Sequence, residues 1–154
     1  MPEQLANDFA ARLASAESDL RAITELEATE TYKADAWTRK QVLGHLIDSA
    51  ANNHQRIVRA ALNAALDFPP YQQNAWVEIQ RYNEPCWFDL VDLFVLNNLH
   101  LCRVIDGLPE EALNNPCSIG RAEPVTLQFV IDDYLRHLKL HIAQILEPAG
   151  QQEI

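Results

Sequence analysis

Along the first thirty residues the apolar positions Leu5, Phe9, Leu13, Leu20, Ile23 and Leu26 return near helical spacing, which predicts one amphipathic helix from Glu3 to about Glu30. A second helix is expected to start at Thr38, where Gln41 three residues on completes a capping box, and to run to about Leu66 before Pro69 and Pro70. The stretch from Trp87 to Asp106 is apolar nearly all round, with Leu90, Leu93, Phe94, Leu96, Leu99, Leu101, Val104 and Ile105, as befits a helix with neighbours on several sides. Gly107 follows where a left-handed cap would sit. A fourth helix is expected from Thr126, just after Pro124, to a point before Pro148. The pattern therefore predicts an all-α protein, a four-helix bundle in a single domain over residues 1–154. Two connections, 67–85 and 109–125, are longer than a bundle needs, and such segments often carry function.

Composition narrows the classes. Hydrophobic residues make up 48% of the 154, with only 4 glycines, so the chain can bury a core and is neither disordered nor fibrous. No apolar run approaches the ~18 residues that span a bilayer, and the opening residues lack a signal-like hydrophobic core, so a cytoplasmic protein is expected. Twelve basic against 22 acidic residues give a formal charge of −10, which repels nucleic acid and anionic membrane surfaces. Cys86, Cys102 and Cys117 are odd in number and form no CxxC pair, so reduced thiols are expected rather than a disulfide framework.

Histidine supplies the candidate chemistry. On a wheel of about 100° per residue with His137 at zero, Leu127, Ile131, Leu138, Ile142 and Ile145 gather near about 100°. His141 falls at about 40°, so both histidines edge the apolar face. Two imidazoles at i and i+4 form half of a metal site, or simply border a core; spacing alone does not decide. On the second helix His45 shares a polar stripe with Asp48, Asn52 and Arg56, and that stripe by itself reads as a solvated face. His54 lies on the opposite side among Leu43, Ile47, Ala50 and Ala61, as a core or interface histidine would, and His100 on the third helix is a rival ligand.

Three stretches in order give the chain a family resemblance. "WTRKQVLGHLIDSAANNHQR" resembles the tryptophan and the H-x-x-D-S-x-x-N-x-x-x-R run of the DinB/YfiT-like family of metal-dependent enzymes, supplied here by His45, Asp48, Ser49, Asn52 and Arg56. "PPYQQNAWVEIQRYNE" is similar to the loop of the YfiT branch, with Pro70, Tyr71 and Trp76, and "RHLKLHIAQI" resembles the closing HxxxH. Before Pro116 the family pattern would have a histidine, and this chain has Asn115.

The resemblance implies one divalent metal ion, zinc or nickel, held by His45, His137 and His141, in a homodimer. Three imidazoles leave a tetrahedral ion one exchangeable position. Water there gives a hydrolase; a small-molecule thiol there becomes a thiolate able to attack an electrophile, giving an S-transferase. The YfiT branch is associated with thiol transfer, which favours the second chemistry over hydrolysis or a non-catalytic, stress-related metal-binding bundle. Asp48 and Asn52 then stand as catalytic positions that orient an imidazole or bind polar atoms, although the same pair also reads as plain helix solubility. Tyr71, Trp76 and Arg56 would wall the substrate pocket. Asp133, one turn before His137, reads either as a proton acceptor for a ligand's free ring nitrogen or as surface charge.

Overall fold

A computed structural model describes residues 1–31, 36–62 and 68–147. Four long helices carry the fold: α1 (Pro2–Arg21), α3 (Arg39–Ala61), α5 (Trp87–Asp106) and α6 (Leu127–Leu146). Two short ones, α2 (Glu25–Thr29) and α4 (Gln73–Gln80), lie in the connections. α1 packs on α5 and α6, and α3 packs on the same two, so α1 and α3 face each other across a four-helix bundle. The core runs through all four, with Phe9, Leu13 and Leu20 meeting Leu43, Leu46 and Ile57, Trp87, Phe94 and Ile105, and Leu127, Ile131 and Leu138. At the centre the Tyr134 hydroxyl donates to Asn98, and the Tyr134 ring meets Phe9 edge-on at 5.9 Å.

Thr38 and Gln41 form the expected capping box at the start of α3, and Thr126 caps α6 by accepting from the Phe129 amide. Three expectations need correction. The first helix does not run through to Glu30: Ala22 and Ile23 break it, and Thr24 opens α2 with a capping box of its own to Glu27. Gly107 closes α5 in a right-handed conformation, φ −82°, because its amide still reaches the Arg103 carbonyl in helical fashion. The long connections are also structured. The first contains α4, and the second a 3-10 turn (Glu110–Asn114) followed by a two-residue antiparallel ladder of β1 (Pro116–Cys117) on β2 (Val125–Thr126). α3 is helical to Ala61; the expected extension to Leu66 falls largely outside the described residues.

Two buried cations set the register of the helices at one end. The Arg39 guanidinium donates to the carbonyls of Ile145 at 2.8 Å, Glu147 at 3.0 Å and Glu27 at 3.0 Å. It thereby satisfies orphan carbonyls at the end of α6 and ties that end to the first turn of α3. Lys40 meets Glu25 and donates to the Pro85 carbonyl at 2.7 Å, while Glu25 also accepts from the Trp87 amide at 2.7 Å. Thus α2, α3, α5 and α6 are joined within about two turns of His45.

Candidate metal centre and its pocket

The α3–α6 interface brings His45, His137 and His141 together, with one ring nitrogen of each lying within 4.8 Å of the others. Nε2 of His45 is 2.9 Å from Nε2 of His137. The ring of His45 meets both α6 rings edge-on, at 5.0 Å and 4.9 Å between centroids. Nδ1 of His141 is 2.8 Å from Gln144 Oε1, an oxygen that only accepts. Nδ1 therefore donates, and Nε2 is the nitrogen left to bind a metal in the neutral ring.

Burial and electrostatics suit these rings to a cation. His45 is 1% exposed, and burial, then the neighbouring His137 and His141, hold its pKa down at about 4. Burial and His141 bring His137 to about 4 as well, against an opposing pull from Asp133. Both are neutral near pH 7, the state in which imidazole binds a metal. Nδ1 of His45 is buried without a hydrogen-bond partner, an unmet group of the kind that gathers at functional sites. The donor set and protonation state therefore fit a divalent ion with three imidazole ligands.

The polar stripe of α3 is buried rather than solvated. Asp48 is 2% exposed, and its Oδ1 accepts from the Tyr82 hydroxyl and from Gln80 Nε2, each at 2.7 Å. Burial pushes the Asp48 carboxyl up, and the two donors partly offset this. Its Oδ2 is buried without a partner. Asn52 turns its amide back to the Asp48 carbonyl at 2.8 Å. Trp37 covers the stripe near its start, 5.4 Å from the His45 ring. The hydrophobic covering comes from a segment that flanks α3, and the Asp48 donors lie 32 and 34 residues beyond Asp48.

Beside His137 lies a cavity of about 250 Å3 that Arg56, Tyr71 and Asp133 also line. Burial pushes the Tyr71 phenol up to about 12, and its ring packs on Trp76 at 4.9 Å. Trp76 is not among the residues lining that cavity. Asp133 pairs with Arg136 on its own helix. His54 and His100 meet edge-on at 5.2 Å and are not part of the three-histidine cluster. Sequence reasoning missed Tyr82, Gln80 and Arg121, the last of which lines the same cavity. The only local signal for Tyr82 is Gly44. A Cβ there would lie 2.2–2.6 Å from the Tyr82 ring, so only glycine lets that ring lie flat on α3.

A four-helix bundle that converges three imidazoles from two adjoining helices fits a metal-binding type of protein, and known families support this. The family model described as the DinB superfamily matches residues 6–145, and the chain belongs to that superfamily. It is 26% identical over 117 residues to a protein of Oceanobacillus iheyensis named "Putative metal-dependent hydrolase", covering 75% of this chain and 66% of that protein. A protein of Halalkalibacterium halodurans with the same printed description is 31% identical over 87 residues, 54% of this chain and 49% of its own length. The chain thus spans 66% of the first of these relatives and 49% of the second, less than two thirds of either. Against YfiT of Bacillus subtilis, also so named, identity is 26% over 133 residues, 81% of this chain and 71% of that protein. The solved YfiT structure, described as "a probable metal-dependent hydrolase with an unusual four-helix bundle topology", superposes with a TM-score of 0.76 at 20% identity. That match covers 91% of this chain and 83% of YfiT, and it carries the fold.

Proposed function

We propose that the chain is a metal-dependent S-transferase in which His45, His137 and His141 hold one divalent ion, zinc or nickel, and a small-molecule thiol is transferred to an electrophile. The observation that carries this reading is the convergence of three ring nitrogens within 4.8 Å, with His137 among the residues that line the neighbouring cavity. When bound, such an ion lowers the pKa of an exchangeable ligand and makes it a nucleophile near neutral pH. The chain's own residues hold and orient. Gln144 fixes the tautomer of His141, and Arg39 locks α6 to α3 so that the imidazoles keep their spacing. Asp48, held by Tyr82 and Gln80, keeps a carboxylate oxygen buried one turn from His45, where it and Asn52 would act on substrate polar atoms. Tyr71 and Arg56 wall the substrate cavity, and Trp76 buttresses Tyr71.

The names of the relatives favour a second reading, a metal-dependent hydrolase. Both assign the same ligands, and substrate consumption separates them. Elemental analysis of untagged protein should give one divalent ion per chain, and the loaded protein should consume a thiol only when an alkylating electrophile is present. His141→Ala should abolish that consumption with the helix content unchanged. Equal rates in variant and parent would reject a catalytic centre, and a stable protein complex without turnover would favour a non-catalytic bundle. The reading extends to a cytoplasmic homodimer, supported by exposed Leu93, Leu96 and Leu99 along α5; light scattering showing a monomer at micromolar concentration would overturn the dimer.

A further inference from the structure

The cavity beside His137 is lined by two arginines, Arg56 from α3 and Arg121 from the turn between β1 and β2. Among the described residues neither forms an ion pair, although the chain holds 22 acidic residues to 12 basic ones. Asp133, the carboxylate that shares the cavity, is paired with Arg136 and only attracts Arg56 through space. In so acidic a protein, two cations lining one hollow without a carboxylate partner call for an explanation. Arg121 is exposed, but burial holds the Arg56 guanidinium below its usual range, a desolvation cost that an anion beside it would relieve.

Both guanidiniums are held in place by other means. Arg56 lies over the Phe68 ring, 5.0 Å from its centroid, and Arg121 lies over Phe129 at 4.9 Å. Stacking on an aromatic face fixes the guanidinium plane and leaves its N–H edge free for a planar, bidentate oxyanion. Nε of Arg56 is buried with no hydrogen-bond partner. The backbone also brings Arg121 to the cavity. Gly120 has φ +86°, and a Cβ there would lie 2.6 Å from Cδ of Pro70, so the β1–β2 turn rests directly against the segment leading into Tyr71. The Phe68 amide donates to the Ser118 carbonyl at 2.9 Å and pins the same two segments together.

The geometry points to an oxyanion subsite in which Arg56 and Arg121 take the carboxylate or phosphate tail of a substrate whose reacting end lies at the three histidines. This rests on the metal-dependent reading above, which places the reacting atoms there. It narrows the substrate to one carrying an anionic group at the end remote from the reacting atom. It also answers the protein's own charge, since a formal −10 repels such a molecule at long range and a local positive cavity must capture it.

The test uses the full chain loaded with zinc and isothermal titration with three probes: succinate, inorganic phosphate and neutral succinamide. Zinc stoichiometry is measured on every sample. Succinate or phosphate should bind and succinamide should not; preference between the two anions distinguishes a carboxylate tail from a phosphate one. Arg121→Gln, at an exposed position, and Arg56→Gln should each weaken binding about tenfold or more, as loss of a charge-assisted bidentate contact does. If Arg56→Gln fails to fold, Arg56→Lys keeps the charge and loses the planar fork, and should still weaken binding severalfold. Anion affinity unchanged within twofold in the arginine variants, or succinamide binding as tightly as succinate, overturns the subsite. Zinc bound with anion affinity independent of the arginines sinks this inference alone, whereas absence of zinc with arginine-dependent anion binding sinks the metal-dependent reading alone.

Discussion

Gly44 shows how one position can govern a side chain far along the sequence. Its missing Cβ admits the Tyr82 ring, and the Tyr82 hydroxyl in turn holds Asp48 Oδ1 at 2.7 Å. Gly44→Ala should therefore cost about 1–3 kcal/mol of stability in urea denaturation through overpacking. Tyr82→Phe, which keeps the ring and removes the donor, should cost about 1–2 kcal/mol by weakening a buried hydrogen bond to a carboxylate. If Gly44→Ala proves neutral, the ring can yield, and Asp48 is not positioned through it. The same residues explain what the sequence withheld. The wheel placed His137 and His141 beside the apolar cluster of their own helix, but only the family resemblance turned that pair into candidate ligands. His45, Asp48 and Asn52 looked solvated because nothing within α3 reveals the cover that Trp37 and Tyr82 provide.

Among the elements, α3 and α6 matter most, and Arg39 fastens one to the other through two carbonyls at the end of α6. Arg39→Met would leave those carbonyls, and the Glu27 carbonyl, without their charged donor, at a cost of about 3 kcal/mol. Denaturation midpoints should fall accordingly, and zinc affinity should fall with them, because the clamp lies one turn from His141. Loss of stability with unchanged zinc affinity would show that the clamp does not position the imidazoles. Where helices ended was less legible than where they began. Thr24 and Glu27 carry the same signature as Thr38 and Gln41, yet lie inside a run whose apolar spacing continues past the break. α4 has a single buried apolar residue, Val77, and follows two prolines, so periodicity could not separate it from a loop.

At the scale of the molecule, neutral buried histidines make stability depend on acid. His45 and His137 titrate near 4 in the folded protein, against about 6.5 in an unfolded chain. Between these values the unfolded chain takes up protons that the folded one refuses, so their contribution is fully present above pH 6.5 and is lost as pH falls toward about 4. Urea titrations of metal-free protein should show this decline, and a flat profile in that window would contradict the buried, neutral rings. Zinc at about a hundred times its dissociation constant should add about 2.7 kcal/mol, and a chelator should remove it. His141→Ala should abolish that increment.

Because the bundle sets α1 opposite α3 and seats α3 against α6, His45 meets the two α6 histidines only across the far reach of the polypeptide. His45 and His137 stand 92 residues apart. A nascent chain emerging N-terminus first, halted anywhere before α6, holds only one of the three clustered imidazoles. On the metal-dependent reading proposed above, the centre is completed only when the last helix docks and the bundle closes.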